Sequence, residues 1–166
     1  MKKVIITFLL LTAISIPQAI SASNPYGAPA VDPAGPNETI LTVLSGGKSI
    51  KYRMADLLAL KPVSIQLNEP FVKKRQTFSV IPLSVLLAKS GIKPTQKVST
   101  KALNDYIYAN TGSNFAKARA FIALKRDGKA IPYDQGGPIR LVYPDSSMWS
   151  KYLDPWNWSL SEISAK

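Results

Sequence analysis

The 166-residue chain contains no cysteine and no histidine. Together these absences exclude a Ser-His-Asp or Cys-His nucleophile, a thiolate, an imidazole ligand for zinc or haem, and a cysteine-held iron–sulfur cluster. Disulfides are excluded too, so stability must come from the core. The roughly 144 residues that follow an N-terminal signal can bury about two-thirds of their unfolded surface without cross-links. Acidic residues are scarce: 10 against 21 Lys and Arg, for a net charge of +11. No internal repeat is present, and beyond the first 16 residues no apolar run is long enough to cross a bilayer.

The basic excess favours an anionic surface, ligand or partner face by long-range attraction. It does not read as nucleic-acid binding. The lysines are scattered, Lys73, Lys74 and Arg75 form the only run of three basic residues, and no nucleic-acid motif accompanies them. Solvated surface charge is the simpler meaning.

At the N-terminus, Lys2 and Lys3 precede an apolar run from Val4 to Ile16, followed by Pro17 and small residues around Ala19, Ser21 and Ala22. This is the n, h and c pattern of a secretory signal peptide, residues 1–22, with cleavage expected after Ser21 or Ala22. Export, most simply to the periplasm, follows as an expectation, with no membrane span after cleavage. Without Lys2 and Lys3 the balance is 19 basic to 10 acidic residues, about +9. Residues 23–37 are rich in Pro and Gly and read as an extended leader, leaving 38–166 as one domain.

Within that domain ETILTVL, SGGK and SIKYR form a hairpin pattern, and MADLLAL is a short helix stopped by Pro62. VSIQLN alternates, placing Val63, Ile65 and Leu67 on one strand face, NEPFVKKRQ reads as a polar connection, and TFSVI is a strand. Pro82 suits the first turn of a helix carrying Leu83, Val85 and Leu86, and Gly91 suits its end. KVSTKAL and YIYAN read as strands. SNFAKARAFIALK divides into a helix led by Ser113 and a strand at AFIALK. Short strands in hairpins with a few short helices indicate an α+β domain.

The stretch Asp127–Pro144, DGKAIPYDQGGPIRLVYP, organises the rest. Asp127-Gly128 makes a tight turn into a strand, Gly136-Gly137-Pro138 a second bend, and IRLVY a buried strand halted by Pro144. A "DG-x-x-(I/L)-P" turn before "GGP-(I/L)-R-(L/V)-V-x-P", then Trp156, Trp158 and a closing LSEIS strand, resembles the C-terminal part of the molybdopterin-binding oxidoreductase domain family, the sulfite-oxidase-type fold. The opening hairpin and "L-x-D-L" helix, TFSVIPLSVLLAKSGI and KALNDYIYAN are similar to further family pieces in the same order. The resemblance implies a single mixed-sheet α+β domain with short helices.

It also implies a cofactor site, and here the chain departs from the pattern. Catalytic members ligate molybdenum through a cysteine on the segment that runs here from Ser64 to Phe78, and this chain has none. Gln135 stands where a histidine commonly precedes "GGP", Asn157 where a lysine commonly precedes the tryptophan, and Val80 where a glycine is usual. The implied framework is kept while the implied metal ligand is gone. Molybdopterin therefore remains a cofactor by resemblance only, and no metal ligand is named.

No catalytic residue is assigned, since Asp105, Asp134, Asp145 and Asp154 each suit a turn and would need a shifted pKa to act as acid or base. A binding pocket is the better expectation, built from Asp105, Tyr106, Gln135, Gly136, Gly137, Arg140, Trp149 and Trp156. Asp105 and Tyr106 match the family's "D-G-Y" piece, which the resemblance places at the cleft rim. Arg140 is either a fixed cation beside backbone N–H groups that hold an anion or a salt bridge locking the loop. Trp149 and Trp156 either stack on a flat ligand or close the core. The reading leans against an enzyme: an exported, non-catalytic sulfite-oxidase-fold protein that binds a small anionic or aromatic ligand, or an envelope partner such as the outer domain of a membrane sensor. The alternative is an oxidoreductase whose molybdopterin is held without a protein thiolate, which requires a cationic cleft for the phosphate.

Overall fold

The computed structural model describes residues 32–166. The expected signal peptide and residues 23–31 of the expected leader lie outside the described residues. The chain runs β1 (Thr39–Ser45), β2 (Lys48–Arg53), α1 (Met54–Leu58), β3 (Val63–Glu69), β4 (Lys74–Pro82), α2 (Leu83–Lys89), β5 (Lys97–Ala102), β6 (Ile107–Thr111), α3 (Gly112–Lys117), β7 (Phe121–Arg126), β8 (Lys129–Ala130), a 3-10 turn at Tyr133–Gln135, β9 (Arg140–Val142) and β10 (Leu160–Ala165). This is the expected α+β class with mixed sheets and short helices.

Glycine dictates the first turn. Gly46 and Gly47 both take positive φ, 54° and 76°, and bring Ser45 opposite Lys48 in a two-residue hairpin whose twist matches the strands. At the next junction Asp56 accepts the Arg53 amide at 2.8 Å and pairs with the Arg53 guanidinium at 3.1 Å, which closes the start of α1. Pro82 ends β4 and stands just before α2 rather than inside its first turn. Helix α3 begins before Ser113: Thr111 is its cap, accepting the Asn114 amide at 3.2 Å.

One sheet has the order β2-β1-β10-β5-β6 and the other β3-β4-β7-β8, with β9 also paired to β7. The pairing of β1 with β10 is parallel and the other ladders are antiparallel. The last strand thus lies inside its sheet, between the first strand and β5. One apolar cluster joins the two sheets, with Leu41 and Val43 from β1, Val98 from β5, Phe78 and Val80 from β4, Ile122 and Leu124 from β7, and Ile163 from β10. Val80, at the place of the usual family glycine, is fully buried opposite Ala123, so its side chain serves the core.

The polar connection expected at NEPFVKKRQ is shorter than the sequence suggested. Glu69 pairs with Lys74, so β3 and β4 continue to a tight turn at residues 70–73, because backbone pairing does not depend on side-chain polarity. Val63 and Ile65 do share a face with Leu67, yet Leu67 is fully buried while Val63 is 54% exposed. Burial increases along β3 and ends on Glu69.

Near the start of β1, the Tyr133 hydroxyl donates to Glu38. Burial, followed by this hydrogen bond, pushes the Tyr133 hydroxyl up to about 12. A tyrosine of the unfolded chain titrates near pH 10. The folded state therefore keeps the neutral form longer, and the resulting stabilisation is complete below about pH 10 and is lost as pH rises to about 12. Thermal melts across that alkaline window should fall less steeply for Tyr133→Phe than for the wild type; parallel curves would refute the linkage.

Candidate functional site

The centre of the candidate site is built by two residues far apart in sequence. Glu69 ends β3 on the same face as Leu67, and Arg140 opens β9 opposite Ala123 of β7. Both are fully buried, and the Arg140 guanidinium Nη2 donates to Glu69 Oε1 at 2.7 Å. The other carboxylate oxygen, Oε2, accepts the Val72 amide at 2.7 Å, so the same side chain also shapes the turn after β3. A charge-assisted bond of this length in a dry interior is strong, but desolvating both ions offsets much of its gain.

Aromatic rings cover the pair. Arg140 Cζ lies 4.5 Å from the Trp158 ring centroid and 6.0 Å from that of Phe71, and the two rings stand 4.1 Å apart. Backbone bonds hold this arrangement in place: Leu141 donates to Asn157, Ser159 to Gly136 and Leu160 to Ile139, each at 2.9 Å. A Cβ on Gly136 would come within 3.2 Å of the Trp158 ring, and one on Gly137 within 1.9 Å of the Ile131 carbonyl oxygen. Gly136 is thus required by its positive φ beneath the indole, and Gly137 by the close approach of the Ile131 backbone. The peptide between Gly137 and Pro138 is cis.

The departures from the family pattern have structural partners. Asn157 is fully buried and donates to the Thr100 carbonyl at 2.9 Å, bracing the tryptophan segment against β5. Gln135 accepts from the Arg126 guanidinium. It lines a small polar hollow with Arg126, Asp127 and Lys129, away from the aromatic face.

Two cavities open on that face. The first, about 230 Å³, is lined by Phe71, Ala102, Asn104, Tyr106, Leu153, Asp154, Trp156 and Trp158. The second, about 440 Å³, is lined by Tyr108, Met148, Trp149, Tyr152, Asp154 and Pro155. Asp154 borders both, and neither lining includes Arg or Lys.

Of the eight candidates read from sequence, Tyr106 and Trp156 meet in the first cavity and Trp149 borders the second. Tyr106 donates its hydroxyl to the Asp154 carbonyl at 3.0 Å; burial, then the nearby Asp154 charge, raises its pKa above the ordinary tyrosine value. Trp149 and Trp156 are also core residues. Trp149 makes edge contacts with Tyr108, Phe115 and Tyr143 at 5.5–5.7 Å, and Trp156 donates its indole N–H to the Trp149 carbonyl at 3.1 Å. Trp149, 9% exposed, therefore keeps only a rim at the surface, and Trp156, 2% exposed, belongs to the core.

The expected anion site at the glycine turn is not formed. Arg140 engages Glu69 under an indole, and the Gly136 and Gly137 amides donate to the carbonyls of Tyr133 and Pro132 at 3.3 and 2.9 Å. Those donors are satisfied internally, so the salt-bridge alternative for Arg140 is the one the structure adopts. Gly136 borders a further hollow of about 320 Å³ with Tyr133, Asp134 and Trp158. Asp105 sits at a turn with φ of 64° and pairs with Lys101 at 2.8 Å, outside both aromatic cavities. Asp145 likewise has a structural role, accepting from the Asn68 amide at 2.7 Å and pairing with Arg75 at 3.0 Å.

Glu69 was missed, although its signal was present. It continues the alternation of Val63, Ile65 and Leu67, which predicts an inward carboxylate in need of a cation. Phe71, Asn104 and Leu153 were missed because their convergence depends on tertiary packing. Among the described residues no three His, Cys, Asp or Glu side chains gather into a group that could hold a metal.

Molybdopterin calls for a thiolate to the metal in the family pattern and cations for the phosphate. This chain has no thiolate, and Arg140 is engaged by a carboxylate on the segment where the family cysteine lies. The aromatic cavities lack cationic linings. The residues of the aromatic face do not fit the cofactor.

Residues 68–159, more than half of the chain, match the family described as "Oxidoreductase molybdopterin binding domain". No curated protein matches the sequence. Among solved structures, the fold is similar to that of the sulfane dehydrogenase SoxCD from Paracoccus pantotrophus, with a TM-score of 0.62 and 17% identity. The similarity covers 82% of this chain and 40% of that one, and it extends to the fold alone.

Replacing one partner of the central pair leaves the other charged and buried, which costs about 3–5 kcal/mol, whereas replacing both with apolar residues is often near neutral. Glu69→Leu and Arg140→Met should each lose stability of that order in chemical denaturation, and the double variant should regain most of it. A double variant as unstable as the sum of the singles would show that the pair is not the coupled unit described.

Proposed function

The chain belongs to the oxidoreductase molybdopterin binding domain family, and we propose that it is an exported, non-catalytic recognition module on that scaffold, which binds a small ligand or an envelope partner such as a membrane sensor's outer domain. The observation that carries this reading is the Glu69–Arg140 ion pair, 2.7 Å long and fully buried. It fills the centre of the site with two mutually neutralising charges, one of them, Glu69, on the segment that holds the thiolate in catalytic relatives. Above it, Trp158 and Phe71 exclude water from the region where chemistry on a metal would take place.

Export to the periplasm is part of the proposal and rests on the charged, apolar and small-residue order of residues 1–22. No helix among the described residues is long and apolar enough to cross a membrane. The aromatic face supports recognition because it leaves Tyr106, Tyr152, Leu153 and Met148 42–65% exposed around two cavities. Ordinary folding leaves few such residues clustered unless they meet something.

Metal and pterin analysis of the protein purified from its native host tests the non-catalytic reading. Background molybdenum and no released pterin are expected; stoichiometric molybdenum with pterin would overturn it. Fractionation of the same cells should recover the chain in the periplasm, shortened after Ser21 or Ala22. Recovery of the full-length chain in the cytoplasm would remove the export component.

A further inference from the structure

We propose that the cavity bordered by Tyr108, Trp149, Tyr152 and Asp154 is a binding site for an organic ammonium group, quaternary or methylated, carried on a small apolar body. This deepens the reading above and rests on it.

The walls are aromatic and set at a right angle. The Tyr108 and Trp149 rings meet edge to face, with centroids 5.6 Å apart and planes 82° apart, so the two rings form a corner. That corner is rigid, because Trp149 is also packed against Phe115 and Tyr143, and the Tyr108 hydroxyl accepts from Asn110 Nδ2 at 3.2 Å. Tyr152, 65% exposed, supplies a third ring, and Met148 adds a soft polarizable surface. The negative faces of such rings attract a diffuse cation, with a gain that grows as the cation loses water.

Charge decides among ligand classes. The side chains of Asp105, Asp127 and Asp145 are occupied by Lys101, the Thr77 amide, and Asn68 with Arg75. Asp154 borders the cavity and forms no ion pair with the described residues, although the chain carries 21 basic side chains. An anion would meet this carboxylate without a compensating lining cation. A neutral aromatic would cover it without pairing it, which is unfavourable for a charged group. An alkylammonium head satisfies both the carboxylate and the rings. At about 440 Å³, the cavity lies in the range that holds small ligands and has room for more than the head alone.

Three probes that share a benzene ring and differ in charge test the assignment: benzyltrimethylammonium, benzyl alcohol and benzenesulfonate. They are titrated against the exported full-length mature chain by calorimetry and tryptophan fluorescence. The ammonium probe should bind saturably and perturb the fluorescence of Trp149, with the alcohol weaker and the sulfonate absent. Asp154→Asn and Tyr152→Ala each alter an exposed side chain, and their folding is checked by melting temperature. Each should weaken the ammonium probe by about tenfold, the size of one such contact, while Asp105→Asn should leave its affinity unchanged. Equal binding of the three probes, full affinity in Asp154→Asn, or no saturable binding of the ammonium at millimolar concentration would overturn the assignment. A molybdenum-free preparation that fails to bind the ammonium overturns the site and leaves the recognition module standing. A molybdenum-loaded preparation overturns both.

Discussion

The ion pair between Glu69 and Arg140 is the constraint on which the surrounding structure depends. Neither charge can be left alone in a dry interior, so the ends of β3 and β9 must stay in register with each other. The same carboxylate accepts the Val72 amide, so the turn after β3 is tied to the pair, and Phe71 at its tip is delivered onto Trp158. From the other side, the bonds from residues 136–141 to 157–160 bring the indole over the guanidinium. Two charges thus organise a hairpin turn, a glycine bend and a tryptophan segment into one wall.

Much of the backbone was legible in the sequence because local rules decide it. Gly46-Gly47 and Asp127-Gly128 specify turns through positive φ, alternation specifies the face of β3, and the helix ends at Gly91 as expected. The pairing of β1 with β10 was not legible, since its partners lie more than a hundred residues apart and no local rule names them. For the site, the sequence offered Arg140 as cation or brace and Trp149 and Trp156 as stacking or core. Only tertiary burial separates such alternatives. Arg140 became a brace because Glu69 reaches it, and both tryptophans became core residues, Trp149 with a rim at the surface.

The departures from the family pattern make physical sense as a set. Once a carboxylate and a guanidinium neutralise each other at the centre, the neighbouring residues can serve packing. Asn157 holds β5, Gln135 meets Arg126, and Val80 adds apolar volume between the sheets. The two aromatic cavities above have no Arg or Lys in their linings, and the charged residue that borders them is Asp154.

The interior position of β10 bears on the order in which the chain can fold. Residues 160–165 lie between β1 and β5, and without them the first sheet consists of two separate hairpins. A nascent polypeptide emerging from the ribosome therefore cannot assemble this sheet until residues 160–165 have been made. Until then β1 with β2 and β5 with β6 have no strand to join them, so closure of the sheet is the late step of folding.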